Sequence, residues 1–176
     1  MLPSFLHTTA KENFTSKKYR WFMNWYPMFF GTGGKILFWS SNHMELHVRL
    51  RKNLWTYNLV GTIFGGSMFA AADPFYMVML HTILGKKYVV WDKKASIRFR
   101  KPGNTSLYCL FKFTPGQIED IKQQVAENGS TEITLPLLWR DKNGAAYAEI
   151  ERVVYIADKA FYKAKKGATQ AVKFKA

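Results

Sequence analysis

The run NLVGTIFGGSMFAAADPF, from Asn58 to Phe75, decides the fold of this chain. It is apolar almost throughout, it contains the pair Gly65-Gly66, and its only carboxylate is Asp73. Extended to Leu84, the run is long enough to cross a bilayer. A central acid opposes insertion by about 3 kcal/mol, however, and alternating strand patterns flank the run. We therefore expect a helix enclosed by a curved sheet and no stable membrane span.

The composition indicates a single domain over residues 1–176, because 48% of the residues are apolar and 16% are aromatic. The formal net charge of +14 favours anionic partners such as nucleic acid, anionic lipid or a phosphate-bearing small molecule. Nucleic-acid binding is not expected, since no aromatic-basic stacking motif accompanies the charge.

The N-terminus lacks a secretory signal pattern, which predicts a cytoplasmic protein.

Cysteine and histidine give no sign of a metal site. The only cysteine, Cys109, lies in the strand-like run 106–113 and is expected to be a buried, inert thiol. His43 and His47 are close in sequence, but the alternating pattern around them indicates a strand and not a helical pair of ligands. We expect no bound metal.

The rest of the chain alternates helices and strands. An N-terminal helix is predicted over 11–27 and a surface helix over 114–129, whereas strands are predicted in six runs, at 33–41, 43–53, 88–103, 105–113, 131–140 and 145–158. In the first helix, Phe14, Trp21, Phe22 and Trp25 have roughly helical spacing. We expect them to pack on the protein's own sheet, with a membrane-surface position as the alternative. The basic tail, 158–176, is expected to be a solvated, partly frayed end.

These elements predict an α+β fold in which an antiparallel sheet of about six strands wraps around one long central helix. A sheet wrapped in this way is the hot-dog fold. The N-terminal helix and the surface helix would lie outside that central unit. Because such a sheet leaves edge strands that need a partner, a homodimer or a homotetramer is expected.

The sequence resembles hot-dog-fold thioesterases of the phenylacetyl-CoA type in Asn58, Gly65-Gly66 and Asp73. The wider pattern is similar to an uncharacterised branch of that superfamily, a domain of unknown function, in the runs YPMFFGTGGKI, NLVGTIFGGS, VVWDKKASIRF and RFRKPG. The resemblance implies hydrolysis of an acyl-CoA or acyl-carrier thioester, with coenzyme A as part of the substrate and no separate cofactor. Where that family has a histidine, this sequence has Phe64.

The residue chemistry agrees with this implication. Gly65 and Gly66 precede the central helix, where unpaired amides at the positive end of the helix dipole can form an oxyanion hole. Asp73 is seven residues after Gly66 and shares its helix face. Apolar surroundings would raise the pKa of this carboxyl and suit it to act as a general base or nucleophile, and Asn58 could position water or the substrate carbonyl.

Candidate substrate-binding residues surround this group. Four apolar side chains could line an acyl tunnel or simply form core, namely Phe64, Met68, Phe69 and Met77. Three cations at the end of one strand could meet the phosphates of coenzyme A, namely Arg98, Arg100 and Lys101.

Alternatives remain open at two points. Pro74 disfavours helical geometry at the preceding residue, so Asp73 could instead be the N-cap of a second helix segment. The chain could also be a non-catalytic module that binds an acyl group or coenzyme A and has lost the histidine. A hydratase on the same fold is disfavoured, because His81 is poorly placed to pair with Asp73 on one loop.

Overall fold

The computed structural model describes residues 2–173, with side chains described as far as Lys166. A short 3₁₀ turn at Ser4–Leu6 precedes six helices and six strands in this part of the chain. The helices are α1 Phe14–Trp25, α2 Pro27–Phe30, α3 Gly65–Ala72, α4 Phe75–Leu84, α5 Pro115–Asn128 and α6 Lys159–Lys173. The strands are β1 Gly34–Trp39, β2 Glu45–Leu50, β3 Tyr88–Phe99, β4 Leu107–Lys112, β5 Ser130–Arg140 and β6 Ala146–Asp158.

All six strands form one antiparallel sheet in the order β1-β2-β4-β5-β6-β3. Helices α3 and α4 follow each other along the concave side and bury core residues such as Ala71, Phe75 and Met79 against it. The α+β architecture predicted from the sequence, an antiparallel sheet around one long helix, is therefore confirmed. The predicted hairpins β1–β2 and β5–β6 are also present.

The central helix is divided into α3 and α4 at Asp73-Pro74, yet the backbone at this junction keeps helical angles. Asp73 has helical angles, φ −60° and ψ −53°, and its amide donates to the carbonyl of Ala70. The expectation that Pro74 displaces Asp73 from helical geometry is therefore wrong. Tertiary contacts hold the helix to β5 on both sides of the proline, because Trp139 Nε1 donates to the Met68 carbonyl at 2.8 Å and the Tyr76 hydroxyl donates to the Pro136 carbonyl at 3.0 Å.

By length and composition alone, Gly65–Leu84 is apolar enough to cross a membrane. Its position in the sheet explains the same composition, since one side of the helix supplies fully buried core residues. The opposite side is open and presents Ala70, Asp73 and His81 to solvent.

Helix α1 docks on β1, but with the opposite face to the one predicted. The side chain of Asn24 accepts from the Ile36 amide at 2.7 Å and donates to the Ile36 carbonyl at 3.0 Å, and Met23 is buried beside it. The Asn24 side-chain amide thus pairs with the amide and the carbonyl of Ile36 at the free edge of β1. These two hydrogen bonds fix which face of α1 points toward the sheet. The residues expected to pack on the sheet, Phe14, Trp21, Phe22 and Trp25, are all exposed.

The two C-terminal helices differ in how well the sequence predicts them. Helix α5 has the expected Thr114 cap and ends at Gly129, which adopts φ +73°. Its narrow apolar stripe, Ile118, Ile121 and Val125, is buried as expected. The tail, expected to be solvated and partly frayed, begins as helix α6, and Asp158 accepts from the amides of Ala160 and Phe161 at its start. Its last residues, 174–176, lie outside the described part of the chain.

Candidate functional site

A crevice of about 450 Å³ opens beside the first residue of α3. It brings together three of the predicted elements of the site: the Asn58 loop, the start of the central helix at Gly65, and the cations after β3. Its lining residues are Asn58, Val60, Thr62, Ile63, Gly65, Met68, Phe99, Arg100, Lys101, Pro102 and Gly103.

Asn58 organises the loop that forms one wall of this crevice. Its Oδ1 accepts from the amides of Val60 at 3.1 Å and Thr62 at 3.2 Å, while its Nδ2 donates to the Thr62 hydroxyl at 3.1 Å. The chain then enters the helix through two short backbone bonds, from Ile63 to the Gly103 carbonyl and from Phe64 to the Thr56 carbonyl, both 2.7 Å. The Asn58 side chain therefore stabilises the conformation of this loop.

The start of α3 provides backbone donors without a side-chain cap. Phe64 is the N-cap residue and makes no capping hydrogen bond, and the first intrahelical bond is donated by Met68 to the Phe64 carbonyl at 3.2 Å. The amides of Gly65, Gly66 and Ser67 precede that bond and lie at the positive end of the helix dipole. These are the amides that the sequence predicted as an oxyanion hole.

Two aromatic rings lie against these glycines. A Cβ on Gly65 would come within 2.6 Å of the Phe99 ring, and a Cβ on Gly66 within 2.2 Å of the Phe64 ring. Glycine is therefore required at both positions for the rings to approach this closely. Phe64, the residue that replaces the histidine of the resembled family, thus lies over the helix start while more than half exposed.

Asp73 lies outside the crevice and is half-exposed, with 55% of its side chain accessible. Its Oδ1 accepts from Nη2 of Arg152 at 2.7 Å, and the same nitrogen lies 2.9 Å from Asp92 Oδ2 on β3. The expected apolar surroundings of Asp73 are therefore wrong, because a guanidinium faces this carboxylate. The N-cap reading is not supported either, since no side chain caps α4.

The cation of this cluster, Arg152, is almost completely buried, with 2% of its side chain accessible. Burial lowers the pKa of Arg152, but hydrogen bonds and charge attraction from Asp92 and Asp73 outweigh burial and raise it. Burial also raises the pKa of Asp92, with repulsion from Asp73 adding to it and Arg152 partly offsetting it. Arg152 Nη1 is buried without a hydrogen-bond partner among the described residues.

Arg152 was missed in the sequence analysis, although a signal for it exists. Along β6 the inward positions alternate through Ala148, Ile150, Val154 and Ile156, and Arg152 occupies the matching inward position. A cation at an inward position of an otherwise apolar strand predicts a buried ion pair.

The remaining predicted residues are apolar side chains of the central helix and cations at the end of β3. Met68 is core, while Phe69 and Met77 are half-buried on the helix, and the Phe69 ring centroid lies 5.9 Å from the Arg152 guanidinium. Of the three cations, Arg100 and Lys101 line the crevice, but Arg98 lines a different depression beside Glu149 and Glu151.

The two cations at the crevice already contact neighbouring groups. Arg100 pairs with Glu149 at 2.5 Å, and Lys101 Nζ lies 4.4 Å from the centroid of the Tyr147 ring. Both remain exposed to solvent at the mouth of the crevice. They are therefore placed to meet an anionic group that approaches from outside.

Residues 2–166 contain no group of three metal-binding side chains. Cys109 is fully buried and burial raises the pKa of its thiol, as expected for an inert cysteine. His47 is buried on β2, where its Nε2 lies 2.8 Å from Glu45 Oε1.

The protein has the hot-dog fold, which it shares with solved structures that are described as thioesterases. The chain belongs to the family described as Domain of unknown function (DUF4442), whose model matches residues 16–156. This agrees with the uncharacterised branch that the sequence resembles. No curated protein matches the chain.

Solved structures of low sequence identity share this fold. A protein of unknown function from Pseudomonas aeruginosa, described as a probable thioesterase, has a TM-score of 0.73 at 17% identity over 85% of this chain and 99% of its own. A protein of unknown function from Chlorobaculum tepidum has a TM-score of 0.65 at 14% identity, covering 82% and 95%. A thioesterase from Haemophilus influenzae has a TM-score of 0.59 at 11% identity, covering 86% and 96%.

Proposed function

We propose that this protein hydrolyses the thioester of an acyl-CoA or acyl-carrier substrate in the cytoplasm. The observation that carries the proposal is the uncapped start of α3, where Gly65 lines a crevice with two cations at its mouth. Amides in this position stabilise the negative charge that develops on a thioester carbonyl oxygen during attack by water. Arg100 and Lys101 would meet the phosphates of coenzyme A.

Asp73 is the proposed base or nucleophile. In a dimer, Asp73 of one copy would lie at the crevice of the other copy. Within one chain, Asp73 lies about 12 Å along the helix from Gly65. Two helices packed antiparallel about a two-fold axis would place Asp73 of one copy near the helix start of the other. The exposed, small side chain of Ala70 lies between these positions and permits close approach.

The sheet offers a second element for such a dimer. β3 is a 12-residue edge strand, and within residues 2–173 it pairs only with β6. A long unpaired edge is a template for pairing with another strand. A homodimer built from the β3 edge and the open helix side would cover both features, and two such dimers could form a tetramer.

An Ala70→Cys variant tests this arrangement. We expect it to form a covalent dimer under mild oxidation, because a residue near a two-fold axis faces its own copy. The native Cys109 is fully buried and does not compete. The measurement is the dimer band on a non-reducing gel.

The matched control is Ala126→Cys, which introduces the same thiol on the exposed side of α5. Cross-linking of Ala70→Cys at the same low rate as this control would place the two-fold axis elsewhere. Activity of a strictly monomeric protein would also contradict a shared site.

The function is tested by thiol release from a panel of acyl-CoAs and an acyl-carrier thioester. Hydrolysis of at least one member is the expected result. The second candidate, a non-catalytic module that binds acyl groups or coenzyme A, is favoured by the rings over Gly65 and Gly66 and by the pairing of Asp73 with Arg152. Coenzyme A that raises the melting temperature, without turnover of any thioester, would support that module instead.

A further inference from the structure

The outer side of α1 and α2 carries an unusual concentration of exposed apolar side chains. We name it the aromatic face and define it by Phe14, Trp21, Phe22, Trp25, Met28 and Phe30. Trp21 and Trp25 are each 65% exposed, and Phe14 is 84% exposed. Exposed apolar patches of this kind mark interaction sites, because a protein gains nothing by leaving them in water.

The fold itself holds these rings outward. Ser16, Met23 and Asn24 form the inward side of α1, and the two hydrogen bonds between Asn24 and Ile36 fix the rotation of the helix. The rings are also ordered among themselves, since Trp25 stacks on Phe30 with the planes 9° apart. The exposure is therefore a built feature of the docked helix and not a consequence of a loose segment.

Cations surround the aromatic face. Lys17 and Lys35 line one depression of about 550 Å³ together with Trp21, Trp25 and Phe30. Lys18 lines a neighbouring depression of about 520 Å³ with Phe14 and Phe22.

Acids are missing from the same surface. Residues 13–35 contain no Asp or Glu, and Glu12, directly before them, is paired with Arg20 at 2.7 Å. None of the described carboxylates pairs with Lys17, Lys18 or Lys35. The aromatic face therefore keeps its positive charge free for a partner.

We propose that the aromatic face docks the protein on the surface of an anionic lipid bilayer. Tryptophan and phenylalanine rings favour the interface between headgroups and acyl chains, and lysines beside them attract anionic headgroups. A second copy of the chain is a poorer occupant, because two-fold pairing of this face would set its lysines against each other without any acid to compensate. This inference does not depend on thioester hydrolysis.

The test is co-sedimentation of the full chain with vesicles of phosphatidylcholine alone or of equimolar phosphatidylcholine and phosphatidylglycerol. We expect binding to the anionic vesicles only, weakened by salt because the lysines act at the surface. Trp21→Ser/Trp25→Ser and Lys17→Glu/Lys18→Glu are each expected to weaken binding by roughly tenfold or more. All four side chains are exposed, so the melting temperature should change little.

The matched control is Lys86→Glu/Lys142→Glu, at two exposed lysines outside the aromatic face. Both lysine double variants change the net charge by four, from +14 to +10. The control is expected to keep most of the binding. An equal loss of vesicle binding in the two lysine double variants would show that only the net charge matters, and it would overturn the proposal.

Two other results would overturn it as well. One is absence of binding to anionic vesicles by the wild-type protein. The other is dissociation of an oligomer by Trp21→Ser/Trp25→Ser in sedimentation velocity, which would make the aromatic face an interface between copies of the chain.

Discussion

Asp73→Asn is expected to lower thioester turnover by about 10²–10⁴-fold, the usual contribution of a general base. The amide keeps the shape of the side chain and can still accept a hydrogen bond from Arg152, but it cannot take a proton from water. Because Asp73 is half-exposed and Arg152 retains Asp92 as a partner, the fold should be preserved. The measurement is thiol release at saturating substrate, with the melting temperature recorded for both proteins.

Asp120→Asn is the matched control, since it makes the same chemical change on the exposed side of α5. It should retain wild-type turnover. Equal turnover in wild type and Asp73→Asn would remove Asp73 from the mechanism while leaving the hydrolase itself intact. A loss of turnover that tracks a loss of folded protein would instead mark Asp73 as structural.

The pairing of Asp73 with Arg152 bears directly on this chemistry. Arg152 Nη2, 2.7 Å from Asp73 Oδ1, holds this carboxylate in place through a charge-assisted hydrogen bond. The site therefore depends on orientation of Asp73 by Arg152, where the sequence predicted apolar surroundings.

The fold was predictable because its signals are local. The alternating sequence of β2 and the Thr114–Gly129 caps of α5 each depend on a few neighbouring residues, and both elements are present. The expectation that β2 is only half-buried is wrong, because Glu45 and His47 are buried as well. The long apolar run between the strands then predicts a central helix, because the sheet needs an apolar element to cover its inner face.

The wrong predictions concern contacts between residues that are distant in sequence. The periodicity of apolar residues carries no information about such contacts. Apolar spacing in α1 predicted that the tryptophans face the sheet, but the hydrogen bonds from Asn24 to the β1 edge decide the orientation. In the same way, the surroundings of Asp73 depend on Arg152, which is 79 residues away in sequence. A polar residue at an inward position is the one clue that the sequence offers in each case.

Arg152→Met is expected to lower the free energy of unfolding by about 1–3 kcal/mol, less than for a fully buried pair, because the carboxylates of Asp92 and Asp73 keep 22% and 55% of their side chains accessible. Methionine fills a similar volume, so the loss comes from the charge and not from a cavity. Without the guanidinium, the mostly buried carboxylate of Asp92 faces Asp73 with no compensating cation. Urea unfolding at neutral pH measures the loss, and Arg98→Met, at an exposed arginine of β3, is the matched control with little expected effect.

The pH dependence separates charge from packing in this variant. Burial and Asp73 already raise the pKa of Asp92, and loss of Arg152 removes the contact that lowers it, so the pKa must rise further. The pKa of an aspartate in the unfolded chain is about 3.9. A carboxyl whose pKa is higher than this in the folded protein stabilises the fold fully at pH values below the unfolded pKa. This stabilisation is lost as the pH rises through the folded pKa. The deficit of Arg152→Met should therefore be smallest in acid and grow toward neutral pH. A deficit independent of pH would mean that contact of the arginine with Phe69, and not its charge, was what the substitution removed.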